Sequence, residues 1–205
     1  MAYTGFPNYQ IIAAPAMPAA ADEGFELPYP ISELMLVGNI GGYDVQLNGT
    51  IQQVYAQVLK AHPELGEKSI LPSAAITTSR DSSNALGHGL TPECEDADGS
   101  SRKLGCATDS NIRDGIAYLK EPHRAGSGDC WVGAKKCSRI SCSYYSAISL
   151  CNDNDYEIHP RCSYMAQYVE AILNKCGTTV ANEPCTGRLN RDTDNNYVTV
   201  GIGKC

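Results

Sequence analysis

The first 93 residues contain no cysteine, the first twenty contain no lysine or arginine, and the chain has no long uninterrupted apolar run. A helix that crosses a bilayer needs roughly 20 predominantly apolar residues, so no membrane span is expected. An export signal opens with positive charge and continues into an unbroken apolar core. The apolar stretch near the start, Ile11 to Ala21, is interrupted by Pro15 and Pro18 and does not fit that pattern. The expectation is that a signal precedes Met1. Large apolar rings are scarce as well, with one Trp and two Phe against twelve Tyr. Tyrosine offers broad contact area at low entropic cost, which suits a recognition surface better than a deep core. Basic residues are outnumbered, with a formal net charge of -7, so nucleic acid and anionic membranes are not expected partners.

Cysteine is what the chain has in excess. Cys94, Cys106, Cys130, Cys137, Cys142, Cys151, Cys162, Cys176, Cys185 and Cys205 all fall within the last 112 residues. An even number at this density reads as a framework of up to five disulfides, which persists only in an oxidising, extracellular-type compartment. Cys137 and Cys142 have the spacing of half a zinc site, but no second ligand pair accompanies them, so neither metal nor cofactor is expected. Asn48-Gly49-Thr50 is a glycosylation sequon, consistent with a secretory route.

Charge divides at the same place as cysteine. Residues 1–93 hold three basic and nine acidic residues, and residues 94–205 hold thirteen and fourteen. This break predicts a cysteine-free acidic N-terminal region, 1–93, and a disulfide-rich region, 94–205. The first is read as a pro-segment, a chaperone-like leader, or a layer packed on the second. Arg80, in the Ser/Thr/Gly/Asn-rich stretch from Pro72 to Thr91, is the candidate processing site. The basic pairs Arg102-Lys103 and Lys135-Lys136 lie inside the cysteine region, where cutting would nick the framework.

Periodicity predicts a helix over Thr50–Leu65, with Ile51, Val54, Tyr55, Val58 and Leu59 on one face and Asn48 or Thr50 as cap. Ile31–Ile40 reads as a short strand. In the second half, Ser110–Lys120 reads as a helix stopped by Pro122, Ser138–Asn152 as one strand across the core, and Asn196–Lys204 as a closing strand. His159–Lys175 is the strongest helix, with Pro160 in its first turn and Gly177 beyond its end. Cys162 and Cys176 are separated by about 21 Å of axial rise, so they cannot pair, and each must tie its helix end to another element. These elements define an α+β class: a disulfide-stapled sandwich of antiparallel sheet and two helices in the C-terminal half.

The segments Cys142-Ser143-Tyr144-Tyr145-Ser146-Ala147-Ile148-Ser149, Cys151, Cys162, Cys176 and Tyr197-Val198-Thr199-Val200-Gly201-Ile202-Gly203-Lys204-Cys205 carry a resemblance. Residues 94–205 resemble the small cysteine-rich killer toxin that a virus encodes in smut fungi, and the fungal secreted proteins related to it. The resemblance implies a fungal origin, a sandwich with five disulfides, and action outside the producing cell. It further implies a target such as an ion channel, contacted through a basic residue near a cysteine. The nearest matches here are Lys136, before Cys137, and Arg139, one residue out of register with the family's spacing to Cys142.

Catalytic constellations are weak by comparison. His123 with Asp153 or Asp155 is the one conceivable hydrolytic pair among His62, His88, His123 and His159. Asn152-Asp153-Asn154-Asp155 lacks the Gly and Glu of a calcium loop and reads as a polar turn. Gly126-Ser127-Gly128 reads as an ordinary loop before Cys130 and Trp131 rather than a phosphate cradle. The expectation is therefore a secreted toxin or virulence effector, monomeric and non-catalytic, acting on a host or competitor cell protein. Lys136, Arg139, Trp131, Tyr144 and Tyr145 are its candidate contact residues. A cell-wall or glycan-binding module centred on Trp131 is the alternative, and a small secreted hydrolase is third.

Overall fold

The computed structural model describes residues 27–67, 92–94, 107–124, 128–176, 187–191 and 194–205. The chain first forms β1 (Ile31–Ser32), β2 (Met35–Ile40), β3 (Tyr43–Asn48), α1 (Ile51–Ala61) and α2 (Glu64–Glu67). Then follow β4 (Glu93–Cys94), α3 (Asp109–Arg124), β5 (Gly128–Trp131), β6 (Lys136–Ser143), β7 (Ser146–Asn152), α4 (Cys162–Cys176), β8 (Gly187–Arg191) and β9 (Asn196–Ile202). The class is α+β, with two sheets whose pairings are antiparallel except β1 against β6.

One sheet has six strands in the order β1-β6-β7-β9-β8-β4, and the other has three in the order β3-β2-β5. On the inner face of the large sheet, Ile140, Ile148, Leu150, Val198 and Val200 pack with the apolar stripes of α3 and α4. Gly115 lets α3 settle there: a Cβ at that position would stand 2.9 Å from Ile148 Cδ1. Helix α1 starts where its sequence says it should. Thr50 accepts from the Gln53 backbone while the Gln53 side chain accepts from the Thr50 N–H, a complete capping box.

The compositional break at residue 93 leaves no seam in this packing. Leu34, Leu36, Ile40, Ile51, Val54, Tyr55, Val58 and Leu65 are buried in the same core as Ile112, Leu119, Ile148, Met165 and Ile172. Strand β5 of the cysteine-rich region completes the small sheet by pairing with β2. Residues 27–67 thus form a packed layer. Burying each aliphatic side chain contributes about 1.5–3 kcal/mol, enough in sum to hold the layer without a covalent tie. Arg80 lies outside the described residues. Cleavage there is nevertheless expected to leave both fragments co-eluting in native buffer. Denaturant without reductant should separate them, because no cysteine precedes Cys94. Dissociation in native size-exclusion chromatography would contradict a shared core.

Among the described residues, four disulfides join Cys94 to Cys176, Cys130 to Cys162, Cys137 to Cys151 and Cys142 to Cys205. As the helix length requires, Cys162 and Cys176 each bind a strand, β5 at one end of α4 and β4 at the other. The loops they close span 32 and 82 residues. Chain-entropy arguments put such closures at about 3.5–4.5 kcal/mol each. Cys106 and Cys185 lie outside the described residues, as do His88 and Gly177. Among the described residues no helix is long and apolar enough to cross a membrane.

Two expectations are corrected. The segment 138–152 is not one strand but the hairpin β6–β7, turning at Tyr144–Tyr145. Helix α3 does not stop before Pro122 but runs to Arg124. A proline forfeits one backbone bond and crowds the preceding turn, a modest cost so close to a helix end.

Candidate functional site at the hairpin tip

Strands β6 and β7 pair from Lys136↔Asn152 to Ser143↔Ser146, leaving a two-residue loop. Both loop residues have positive φ, 45° at Tyr144 and 61° at Tyr145. That is the geometry of a type I′ turn, in which the right-handed strand twist is matched by residues that normally are Asn and Gly. A β-carbon in this region costs on the order of 1–2 kcal/mol per residue. Among the described residues the strained pair are also the most exposed large hydrophobic side chains, Tyr144 at 83% and Tyr145 at 66%. Bulky rings in strained backbone, turned into water, are a local loss for folding.

The rest of the molecule holds this tip still. Cys142, two residues before the turn, is bonded to Cys205, and Gly203 N–H donates to the Tyr145 carbonyl at 2.9 Å. The segment after β9 therefore crosses the hairpin next to its turn. Gly203 is needed for that crossing, since a Cβ there would meet the Ala147 Cβ at 2.6 Å. Ile202, in register with Ser146, is 43% exposed and extends the apolar surface beside the tyrosines, with exposed Lys204 two residues on.

The other candidate contact residues are not gathered here. Lys136 is exposed at the far end of β6, about 23 Å from the turn by strand rise. Arg139 points to the outer face of the large sheet, with its Nε buried. Trp131 lies on the small sheet, half-buried and stacked on His159 with ring centroids 5.0 Å apart. Asn48, of the sequon, is exposed at the end of β3. Sequence reasoning named Tyr144 and Tyr145 but missed the turn they make. It missed Ile202 as part of their surface altogether, since alternation along β9 assigns that residue to the inner face.

The two histidines whose side chains are described, His62 and His159, each stack on an aromatic ring. His159 is exposed on Trp131. His123 stands in the last turn of α3, where its side chain lies outside the described residues. His62 stacks on Tyr43 at 3.6 Å and shares Glu64 Oε1 with the Tyr43 hydroxyl, which donates at 2.9 Å. This exposed trio ties the β2–β3 hairpin to α2. The Glu64 carboxyl is held below its ordinary value, first by its own backbone N–H, then by Tyr43 and His62. Hydrogen bonding and charge from Glu64 raise the Tyr43 phenol above 10.0. The depressed acid contributes stability above its unfolded value near 4.5 and loses it as pH falls through the lower folded value. The raised phenol contributes below 10.0 and loses it as pH rises through its folded value. In pH-dependent thermal unfolding, Glu64→Gln is expected to flatten the acid limb and Tyr43→Phe the alkaline one. Unchanged limbs in both variants would refute the clasp.

Asn152 and Asn154 form the polar turn. Asn152 Nδ2 donates to the carbonyls of Val132, Gly133 and Tyr156, and its Oδ1 accepts from Asn154 N and Nδ2. Asn154 Nδ2 donates onward to the Asp194 carbonyl at 2.7 Å, so the two amides are spent tying this turn to the neighbouring loops. Among the described residues no group of three or more His, Cys, Asp or Glu is placed to hold a metal ion. No protein family, curated protein or solved structure matches the chain.

Proposed function

We propose that this protein is a secreted, non-enzymatic toxin or virulence effector of the fungal killer-toxin type. It docks on a target-cell protein through Tyr144, Tyr145 and Ile202. The observation that carries the reading is the pair of exposed tyrosines in strained backbone, stapled at their base by Cys142–Cys205. The four disulfides support an oxidising environment and so an extracellular place of action. A rigid aromatic tip favours protein recognition because little side-chain freedom is lost on docking, and such anchors carry most of an interface's energy. Purified oxidised protein, applied externally to panels of fungal and plant cells, is expected to arrest growth or damage tissue. Inactivity across both panels would overturn the reading. The half-buried Trp131, stacked on His159, supports glycan binding as a second reading. Retention on chitin, glucan or cellulose that is lost in Trp131→Ala, without cell damage by the parent protein, would favour it instead.

A further inference from the structure

The outer face of the six-stranded sheet presents three rows of side chains, read from the strand register. The first is Cys137–Cys151–Tyr197, covered by Leu27 and Tyr29. Lys135 lies over Tyr29 in turn, its Nζ 5.9 Å from the ring centroid. The third row is Cys142–Ala147–Gly201, beside which the Gly203–Cys205 segment crosses to its disulfide. Between them lies Arg139–Ser149–Thr199, three cross-strand neighbours on adjacent strands.

This middle row is unusual in its chemistry. Ser149 is 0% and Thr199 2% exposed, yet Ser149 Oγ, Thr199 Oγ1 and Arg139 Nε are all buried with no hydrogen-bond partner. Among the described residues no carboxylate, the C-terminus included, lies within ion-pair distance of Arg139. Folded proteins satisfy nearly all buried polar groups, so three orphaned ones in a single row call for a partner that no described side chain supplies. The three groups can all donate, and one belongs to a permanent cation. An anion lying over this row accepts from all three groups and offsets the guanidinium charge.

We propose that the Arg139–Ser149–Thr199 row is a binding site for a small inorganic anion of halide size. The complete burial of the hydroxyls limits the ligand to about that size, and the partial exposure of Arg139 provides its entry. This assigns Arg139 an anion-holding role on the outer face, separate from target contact at the hairpin tip.

Crystals transferred to bromide are the first test. An anomalous peak within hydrogen-bond distance of Arg139 Nε, Ser149 Oγ and Thr199 Oγ1 is expected, and a water there without such a peak overturns the proposal. The second test is thermal unfolding in sodium chloride against equal sodium gluconate. Chloride at ten times its dissociation constant is expected to raise Tm by roughly 3 °C. Thr199→Val keeps shape and removes a donor, so it should fold. It is expected to lose the chloride-specific shift, and Arg139→Lys to weaken it. An unchanged shift in Thr199→Val, or no shift in the parent protein, overturns the proposal. A bromide peak without a chloride-dependent Tm identifies an adventitious ion only and overturns it too.

Discussion

Replacing Tyr144 and Tyr145 together with Asn and Gly is expected to make the protein more stable and functionally silent. The substituted residues adopt positive φ readily, so the strain stored in the turn disappears and Tm rises by several degrees. About 1–3 kcal/mol of stabilisation follows from removing two unfavourable backbone conformations. The same change deletes both exposed rings from the tip, and with them the anchors of the proposed interface. Losing two central aromatic anchors costs about 2–4 kcal/mol each, so activity on responsive cells should fall by at least 100-fold. A structural turn would give the opposite pairing of outcomes: tyrosine removal would leave activity intact. Calorimetry and the cell assay, run on the same preparation, separate the two.

Asn152→Ala is expected to be the most damaging single change outside the cysteines. It removes a fully buried amide that donates to three backbone carbonyls and accepts from Asn154. Each orphaned buried group costs about 1–3 kcal/mol, so a loss of about 4 kcal/mol is expected. For a chain of this size that is a fall in Tm of roughly 8–16 °C. Asn152→Asp keeps the acceptor but abolishes the three donated bonds and brings a buried charge, so it should be no better tolerated. A drop of under one degree in either variant would show that the loop is held by something else. Asn154→Ala, which leaves the three carbonyl bonds of Asn152 in place, should be the milder substitution.

The sequence was most readable where local rules sufficed. The spacing of Ile51, Val54, Tyr55 and Val58 with Thr50 as cap located α1, and the face from Cys162 to Cys176 located α4. Helix length alone excluded a Cys162–Cys176 bridge. Long-range pairing was not readable. Nothing local says that Gly128–Trp131, behind a glycine-rich loop, becomes a strand whose partner is β2, more than 90 residues earlier. For the same reason the break in cysteine content at residue 93 resembled a boundary, although the core is continuous across it. The hairpin was hidden for a different reason. Turns are recognised by Asn, Gly and Asp, and this one is built from two tyrosines that break the rule. The position where local preference and fold disagree is the one the proposed function requires. Arg139, Ser149 and Thr199 were equally opaque, since only the register of three strands makes them neighbours.

Helix α4 is riveted at both ends, through Cys130–Cys162 and Cys94–Cys176. An ordinary helix frays, and its terminal amides trade hydrogen with solvent through brief local openings. With each end bolted to a strand, those openings are suppressed, and the terminal turns of α4 should exchange almost as slowly as its middle. Helix α1, capped but unbridged, keeps the usual gradient toward His62. Reduction of these two bridges would restore fraying to the ends of α4, making its end-turn amides a direct gauge of their redox state.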